Sequence, residues 1–138
     1  MRTLGIDYGD ARVGIAITDA LGITAQGLET IHHKGNDKIV LKRLDEIMQE
    51  YEIDCIVVGK PLNMNGTASE RVEITEKFIH KLKCKYNKIK IECQDERLTT
   101  VAAHRTMNDL GINPHKKRNI VDTISAVYIL EMYMNRNK

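Results

Sequence analysis

The chain has 138 residues, of which 42% are hydrophobic and 29% charged, and its formal net charge is +2. This length predicts one domain over residues 1–138, and the composition excludes a disordered chain. Charge-free runs stay far below the ~18 apolar residues of a membrane span, and two acids interrupt the N-terminal apolar segment, so we expect a cytoplasmic protein without membrane contact.

The first part of the chain predicts three antiparallel strands. Apolar segments cover residues 3–8 and 13–18, and Gly-Asp-Ala-Arg between them supplies the residues of a turn. A second turn over residues 19–22 leads to a third segment, residues 23–32, whose alternation is weaker. The two turns are short enough for neighbouring strands to pair directly.

The middle of the chain predicts helices alternating with strands. Apolar residues recur at helical spacing between residues 36 and 51, and an apolar run over residues 53–58 has the pattern of a buried parallel strand. Thr67 and Glu70 have the spacing of a capping box, which predicts a second helix. Its inner face would carry four residues: Val72, Thr75, Ile79 and Leu82.

The last part predicts one more strand and two helices. Residues 89–93 alternate, which predicts a half-buried strand toward an edge of the sheet. A helix from residue 99 or 100 to 110 would end at Gly111, with Pro114 beyond it, and the final helix would run from about residue 117 to 134. The fold class is therefore α/β, a mixed five-stranded sheet of three antiparallel and then two parallel strands flanked by helices.

Three acids stand where apolar burial would exclude a lone carboxylate. Asp7 lies within the first strand, and Asp122 lies in a largely apolar helix. Asp95 and Glu96 follow the last strand, at the edge where open α/β sheets place ligand sites, and we favour Glu96 as the inward-facing acid. Each could have a purely structural role, Asp7 in a turn, one of the pair as a cap, and Asp122 at a helix dipole.

A shared divalent cation would compensate all three acids at once. Mg²⁺ or Mn²⁺ prefers carboxylate oxygens and keeps water ligands for a phosphate substrate. Two such ions about 4 Å apart can activate a water and stabilise the leaving oxygen of a phosphodiester. The acids thus favour hydrolysis of nucleic acid.

Four motifs in order carry a family resemblance. They are Gly5-Ile6-Asp7-Tyr8-Gly9 with Arg12-Val13-Gly14, then Gly59-Lys60-Pro61-Leu62-Asn63-Met64-Asn65-Gly66-Thr67, then Asp95-Glu96-Arg97-Leu98-Thr99-Thr100, and finally Asp122. The chain resembles the YqgF/RuvX family of ribonuclease H-like proteins over essentially its whole length. The resemblance implies a ribonuclease H-like fold, a cytoplasmic location, and a nuclease that matures the 5′ end of the 16S ribosomal RNA precursor.

The resemblance also implies residue roles. The catalytic and metal-binding acids would be Asp7, Glu96 and Asp122, with Mg²⁺ or Mn²⁺ as cofactor. Substrate contacts are expected from residues of the matching motifs, namely Arg12, Lys60, Asn63, Gly66, Thr67, Arg97 and Thr99. The basic cluster near Asp122 adds Lys116, Lys117 and Arg118 as phosphate-binding candidates on the ground of its charge. The partner would be structured RNA, either precursor 16S ribosomal RNA or a pre-ribosome, bound by a monomer or a weak homodimer.

Other residues give weaker signals. Lysines crowd residues 77–90, but solvated helix faces look the same, so nucleic-acid binding there is slightly disfavoured. The three cysteines lack the pairing of a zinc site or a disulfide framework. Among the five histidines, the adjacent pair His32 and His33 alone has close spacing, and all five are expected to lie at the surface or to make local hydrogen bonds.

Three alternative functions stay open. A Holliday junction resolvase-like DNA endonuclease is one, although true resolvases carry a second acid one helical turn after the acid of their last helix, where this chain has Ser125. A non-catalytic RNA-binding module is another. The opening motif also resembles the phosphate-binding hairpin of sugar kinases and actin, but those proteins enclose ATP between two domains.

Overall fold

The computed structural model describes residues 2–9, 11–60, 70–95 and 114–136. Its elements, in chain order, are β1 (Arg2–Tyr8), β2 (Arg12–Thr18), β3 (Ala25–His32), α1 (Asp37–Glu50), β4 (Ile53–Lys60), α2 (Glu70–Lys85), β5 (Lys90–Asp95) and α3 (Pro114–Arg136). The helix predicted over residues 99–110 and the Thr67 cap lie outside the described residues.

The strands form one five-stranded sheet in the order β3-β2-β1-β4-β5. The β1–β2 and β2–β3 pairs are antiparallel, whereas β1–β4 and β4–β5 are parallel. This arrangement confirms the predicted mixed sheet and the edge position of the last strand. Parallel pairing of β1 with β4 requires a crossover, which α1 supplies.

The two faces of the sheet are covered differently. Alternate residues of β1, such as Leu4 and Ile6, point into a large core with α1 and α2, which contribute Leu44 and Phe78. The opposite face carries α3 over a smaller core that includes Val57. Since side chains alternate along a strand, each strand position belongs to one face. None of the described helices, α3 included, is long and apolar enough to cross a membrane.

Local side-chain chemistry sets the ends of the helices. Asn36 caps α1 by accepting a hydrogen bond from the Lys38 N–H at 3.1 Å, which satisfies one of the free donors of the first turn. The predicted inner face of α2 is buried, and Phe78, which the pattern did not single out, is fully buried with it.

Several predicted boundaries differ from the structure by one to three residues; β4 and β5, for example, end at Lys60 and Asp95 rather than at 58 and 93. Two of the differences have a clear local cause. The third strand begins at Ala25 rather than 23, because the Asp19 carboxylate accepts hydrogen bonds from the Ile23 N–H at 2.7 Å and the Thr24 N–H at 3.2 Å and so prolongs the turn. The final helix begins at Pro114 rather than 117. Proline fits a first helical position because its missing N–H would have no helical acceptor there.

Candidate functional site

Asp7 lies on the face of the sheet that α3 covers. Its neighbours Ile6 and Tyr8 point into the core beneath α1 and α2, so Asp7 points the other way. In the antiparallel β1–β2 register, Asp7 stands opposite Gly14. This pairing places the first acid beside Gly14, where the backbone of α3 contacts the sheet.

Gly14 lets the backbone of α3 touch the sheet at Asp122. A Cβ atom on Gly14 would stand 2.0 Å from the Asp122 carbonyl oxygen, a distance that no real Cβ contact tolerates. The helix crosses β1 at Gly5, where a Cβ would meet Leu130, and crosses β3 at Gly27, where it would meet Thr123. The missing side chains therefore seat α3 so that Asp122 lies next to the strand pair that carries Asp7.

Arg12 joins Asp122 in an ion pair. The guanidinium Nε donates to Asp122 Oδ2 at 2.7 Å, and the side chains of Arg12 and Asp122 are 32% and 16% exposed. The cation repays part of the cost of withdrawing the Asp122 carboxylate from water. Arg12 therefore lies at the candidate site, where the resemblance placed it, and its partner is an acid of that site.

Residue 33 closes the turn between Asp7 and Arg12. His33 is 1% exposed, and its ring Nε2 lies 2.9 Å from the Gly9 carbonyl oxygen. Its backbone N–H donates to the Ala11 carbonyl oxygen at 3.0 Å. His33 therefore makes the local hydrogen bonds that were expected of the histidines. Nothing in the sequence indicated that His33 contacts the turn between β1 and β2, because the two segments are far apart in the chain and β3 brings them together.

Lys60 lies on the opposite face from Asp122. It has the parity of Ile56 and Val58, which point into the core under α2. Its Nζ donates to Glu76 Oε1 at 2.6 Å, and this bond raises the pKa of the lysine. Lys60 is thus not brought to the two acids, and its contact with substrate stays a prediction.

The lysine cluster of α2, for which nucleic-acid binding was slightly disfavoured, is partly neutralised by ion pairs. Lys81 pairs with Asp37 at 2.8 Å and Lys85 with Asp45 at 2.9 Å, both acids belonging to α1. These pairs link two packed helices. They favour the structural interpretation of this cluster over a phosphate-binding one.

Several candidate residues lie outside the described structure: Asn63, Gly66, Thr67, Glu96, Arg97 and Thr99. Lys116, Lys117 and Arg118 belong to the first two turns of α3, the helix that also carries Asp122. The described residues, which do not include Glu96, contain no group of three His, Cys, Asp or Glu side chains able to hold a metal ion. One turn after Asp122, Ser125 is fully buried.

Comparison with known proteins gives a consistent result. A family model described as "RuvX: Holliday junction resolvase" matches residues 1–136. A relative from Ruminiclostridium cellulolyticum is 56% identical over 138 residues, covering 99% of this chain and 95% of the relative, and is named "Putative pre-16S rRNA nuclease". A relative from Acetivibrio thermocellus with the same name is 51% identical over 98% of this chain and 96% of its own length.

Solved structures resemble the fold at low sequence identity. T. thermophilus RuvC in complex with a Holliday junction substrate has a TM-score of 0.56 at 13% identity, covering 99% of this chain and 96% of the other. The fowlpox virus resolvase in complex with Holliday junction DNA has a TM-score of 0.59 at 12% identity, covering 99% of both chains. These likenesses confirm the ribonuclease H-like fold, and the match of the family model over residues 1–136 shows that the chain belongs to the RuvX family.

Proposed function

We propose that this chain is a nuclease that hydrolyses phosphodiester bonds in the precursor of 16S ribosomal RNA. The observation that carries the proposal is the seating of Asp122 on Gly14, the partner of Asp7 in the sheet. Acids from the first strand and the last helix thereby lie on one face of the sheet, which costs free energy unless a cation compensates their charge. The names of the relatives support RNA as the substrate.

We propose Glu96 as the third acid of the same site. On β5, Glu92 faces α3, because its carboxylate lies 3.7 Å from the Arg136 guanidinium. β5 ends at Asp95, and if its alternation continued one residue further, position 96 would have the parity of Glu92. This supports the choice of Glu96 over its neighbour.

The donor set fits Mg²⁺ or Mn²⁺ in kind. Asp7 and Asp122 supply hard carboxylate oxygens, and Glu96 would add a third group. A bound divalent ion supplies Lewis-acid stabilisation of the phosphate and a more acidic bound water. Asp122 shares its carboxylate with Arg12, so a cation at this site competes with the guanidinium or displaces it.

Arg12 then has a second role toward the substrate. A guanidinium binds phosphate oxygens through paired hydrogen bonds, which suits a phosphodiester held beside the acids. Arg12 can serve both partners because it is fixed on β2 next to the site and its side chain is partly exposed. It would orient the scissile phosphate while the carboxylates hold the cation.

A DNA four-way junction is the second candidate substrate, because the description of the matching family model names that activity. The resolvase structures bear on the fold alone at their low identity. Ser125 stands where true junction resolvases carry a further acid, and this departure from their pattern counts against the junction as the substrate. We place the activity in the cytoplasm, with a monomer or weak homodimer as the active form.

Cleavage of two substrates by matched variants tests the proposal. The purified protein is incubated with precursor 16S ribosomal RNA and with a four-way DNA junction, in Mg²⁺, in Mn²⁺ and in chelator. Asp7→Asn, Glu96→Gln and Asp122→Asn should each abolish cleavage while leaving RNA binding nearly intact. Asp54→Asn makes the same chemical change at an exposed residue of β4 and should cleave like the wild type.

The outcomes separate the alternatives. RNA cleavage that requires metal and all three acids supports the proposal, whereas cleavage of the junction alone transfers the activity to DNA. Tight RNA binding without cleavage in either metal would identify a non-catalytic module. Unchanged cleavage by Asp7→Asn would refute the site itself.

A further inference from the structure

We infer that His33 is a positioning residue of the proposed nuclease site. Its ring holds the turn between β1 and β2 in place. This turn keeps Arg12 against Asp122 and keeps Asp7 next to that ion pair. The inference rests on the proposed function, and it assigns part of the catalytic efficiency to a buried side chain that contacts neither metal nor substrate.

The ring makes a hydrogen bond at each nitrogen. Nδ1 accepts from the Gly35 N–H at 3.1 Å, so Nδ1 cannot carry a proton. Nε2 must then be the protonated nitrogen of the neutral ring, and it donates to the Gly9 carbonyl oxygen at 2.9 Å. The two contacts select one tautomer and direct its N–H at the turn.

The backbone around His33 fastens the other side of the same turn. The N–H groups of His33 and Lys34 both donate to the Ala11 carbonyl oxygen, at 3.0 and 3.3 Å. Lys34 and Gly35 adopt left-handed conformations, with φ of 49° and 83°. This sharp bend lets one short segment reach Ala11 through its backbone and Gly9 through the His33 ring.

The ring is also held from behind by aromatic stacking. Tyr8 stacks on His33 with centroids 5.5 Å apart and on Phe78 of α2 with centroids 4.2 Å apart. The Tyr8 hydroxyl donates to Asp37. Tyr8 follows Asp7 directly in β1, so the buried stack fixes the backbone of the acid from the opposite face of the sheet.

These contacts surround the short segment from Asp7 to Arg12. Arg12 closes the hairpin through its carbonyl oxygen, which accepts from the Gly9 N–H at 2.9 Å. Loss of the Nε2–H bond would release the Gly9 carbonyl and let the turn shift relative to α3. A shift of about 1 Å in a catalytic group can cost about 100-fold in rate.

Two substitutions separate positioning from packing. In His33→Gln the amide nitrogen reaches as far as Nε2 and can still donate to Gly9. In His33→Asn the amide reaches only as far as Nδ1, so the bond to Gly9 is lost. We expect His33→Gln to keep cleavage within about 2-fold, and His33→Asn to lower kcat about 10-fold with little change in KM.

Two further measurements are independent of turnover. Mn²⁺ titration should show weaker binding by His33→Asn than by His33→Gln, since the shifted turn misplaces the acids. The ¹⁵N shifts of the His33 ring in the wild type should report a proton on Nε2. Asp7→Asn should lose cleavage and keep this ring signature, so failure of the nuclease proposal is distinguishable from failure of the role of His33.

Several results would overturn the inference. One is a proton on Nδ1 of His33 in the wild type. Another is equal cleavage activity of His33→Asn and the wild type. The third is an equal loss of cleavage activity in His33→Asn and His33→Gln that matches the fraction of each variant that is unfolded. If His33→Asn does not fold, His33→Gln decides the question. A folded, active Gln variant supports positioning, and a folded, inactive one contradicts it.

Discussion

Arg12 is the residue whose replacement gives the sharpest information about the acids. We expect Arg12→Gln to bind Mn²⁺ about 5-fold more tightly, because loss of the partly exposed ion pair, worth about 1 kcal/mol, frees the Asp122 carboxylate. The same variant should bind RNA more weakly because a phosphate contact is lost. Calorimetric Mn²⁺ titration and filter binding measure the two effects.

Arg136→Gln is the matched control for that prediction. Arg136 lies at the other end of α3 and pairs with Glu92 on the same face of the sheet. The substitution therefore removes the same positive charge and a similar ion pair, but at a distance from Asp7 and Asp122. Its Mn²⁺ affinity should equal that of the wild type. Unchanged or weaker Mn²⁺ binding by Arg12→Gln would show that the guanidinium does not compete for Asp122.

Single residues differed in how far the sequence could predict them. Asp7 stood out because a carboxylate inside an apolar strand needs compensation, whatever the tertiary structure. The Asp122 partner Arg12 could be placed near the cleft by resemblance, but the ion pair itself depends on how α3 crosses β2. The position of Lys60 could have been predicted from the sequence. Lys60 has the parity of the buried residues Ile56 and Val58, which places its side chain on the face of the sheet opposite Asp122.

The contact of α3 with the sheet is the element on which the site depends. Gly14→Ala would drive a methyl group into the Asp122 carbonyl, so we expect a loss of about 3 kcal/mol in unfolding free energy and a fall in cleavage. Gly27→Ala is the graded control, since its Cβ would lie 3.1 Å from a Thr123 side-chain carbon and should cost about 1 kcal/mol. Urea denaturation measures both, and equal losses would contradict this seating.

A second prediction at this scale concerns the junction of α1 with α2. Burial raises the pKa of Asp37, but hydrogen bonds from Lys81 and Tyr8 outweigh burial and leave that pKa below its ordinary value. The stabilisation is therefore complete above the pKa of the unfolded chain and is lost as pH falls through the lower folded pKa.

Asp37→Asn should accordingly cost about 1 kcal/mol at pH 7, and the difference from wild type should vanish once pH has fallen below the lowered folded pKa, where the Asp37 carboxyl is protonated in both the folded and the unfolded chain. Urea denaturation across this pH range provides the measurement. Asp54→Asn makes the same chemical change at an exposed position and should leave the unfolding free energy at pH 7 within about 0.5 kcal/mol of the wild type. A difference that persists unchanged at low pH would place the effect in packing rather than in charge.

Elements were predictable where periodicity alone decides them. The helical spacing of Val40, Leu44 and Ile47 identified α1, and all three are buried. The start of β3 was missed because the Asp19 side chain extends the turn. Pro114 was interpreted as punctuation after the end of one helix, but it is the first residue of the next. Proline is common in both places, and only the conformation of the residues that follow distinguishes them.

At the scale of the whole molecule, Cys55 reports whether α3 is attached. It lies in the smaller core, its Sγ is 3.8 Å from the Tyr133 hydroxyl of α3, and burial raises the pKa of its thiol. Exposed Cys84 should react first with a thiol reagent, and Cys55 only as α3 detaches. Mass spectrometry of the labelled protein should show faster Cys55 labelling in Gly14→Ala; equal rates would contradict coupling between helix and core.

The mixed pairing of the strands, antiparallel and then parallel, was predictable because two short turns and two crossovers admit few arrangements. A single domain over residues 1–138 stays a prediction. The sequence could not predict which residues that are far apart along the chain lie close together in space. The approach of Asp122 to Gly14 and the closure of the first turn by His33 both arise from packing.

The wide separation of Asp7 and Asp122 along the sequence has a consequence for the assembly of the site during synthesis. Asp7 is translated first, but its partner Asp122 belongs to the last helix, so a nascent polypeptide still lacking α3 has an incomplete site. In the proposed site, Asp7 and Asp122 would therefore come together only after α3 has been synthesised and has packed on the strand pair of β1 and β2.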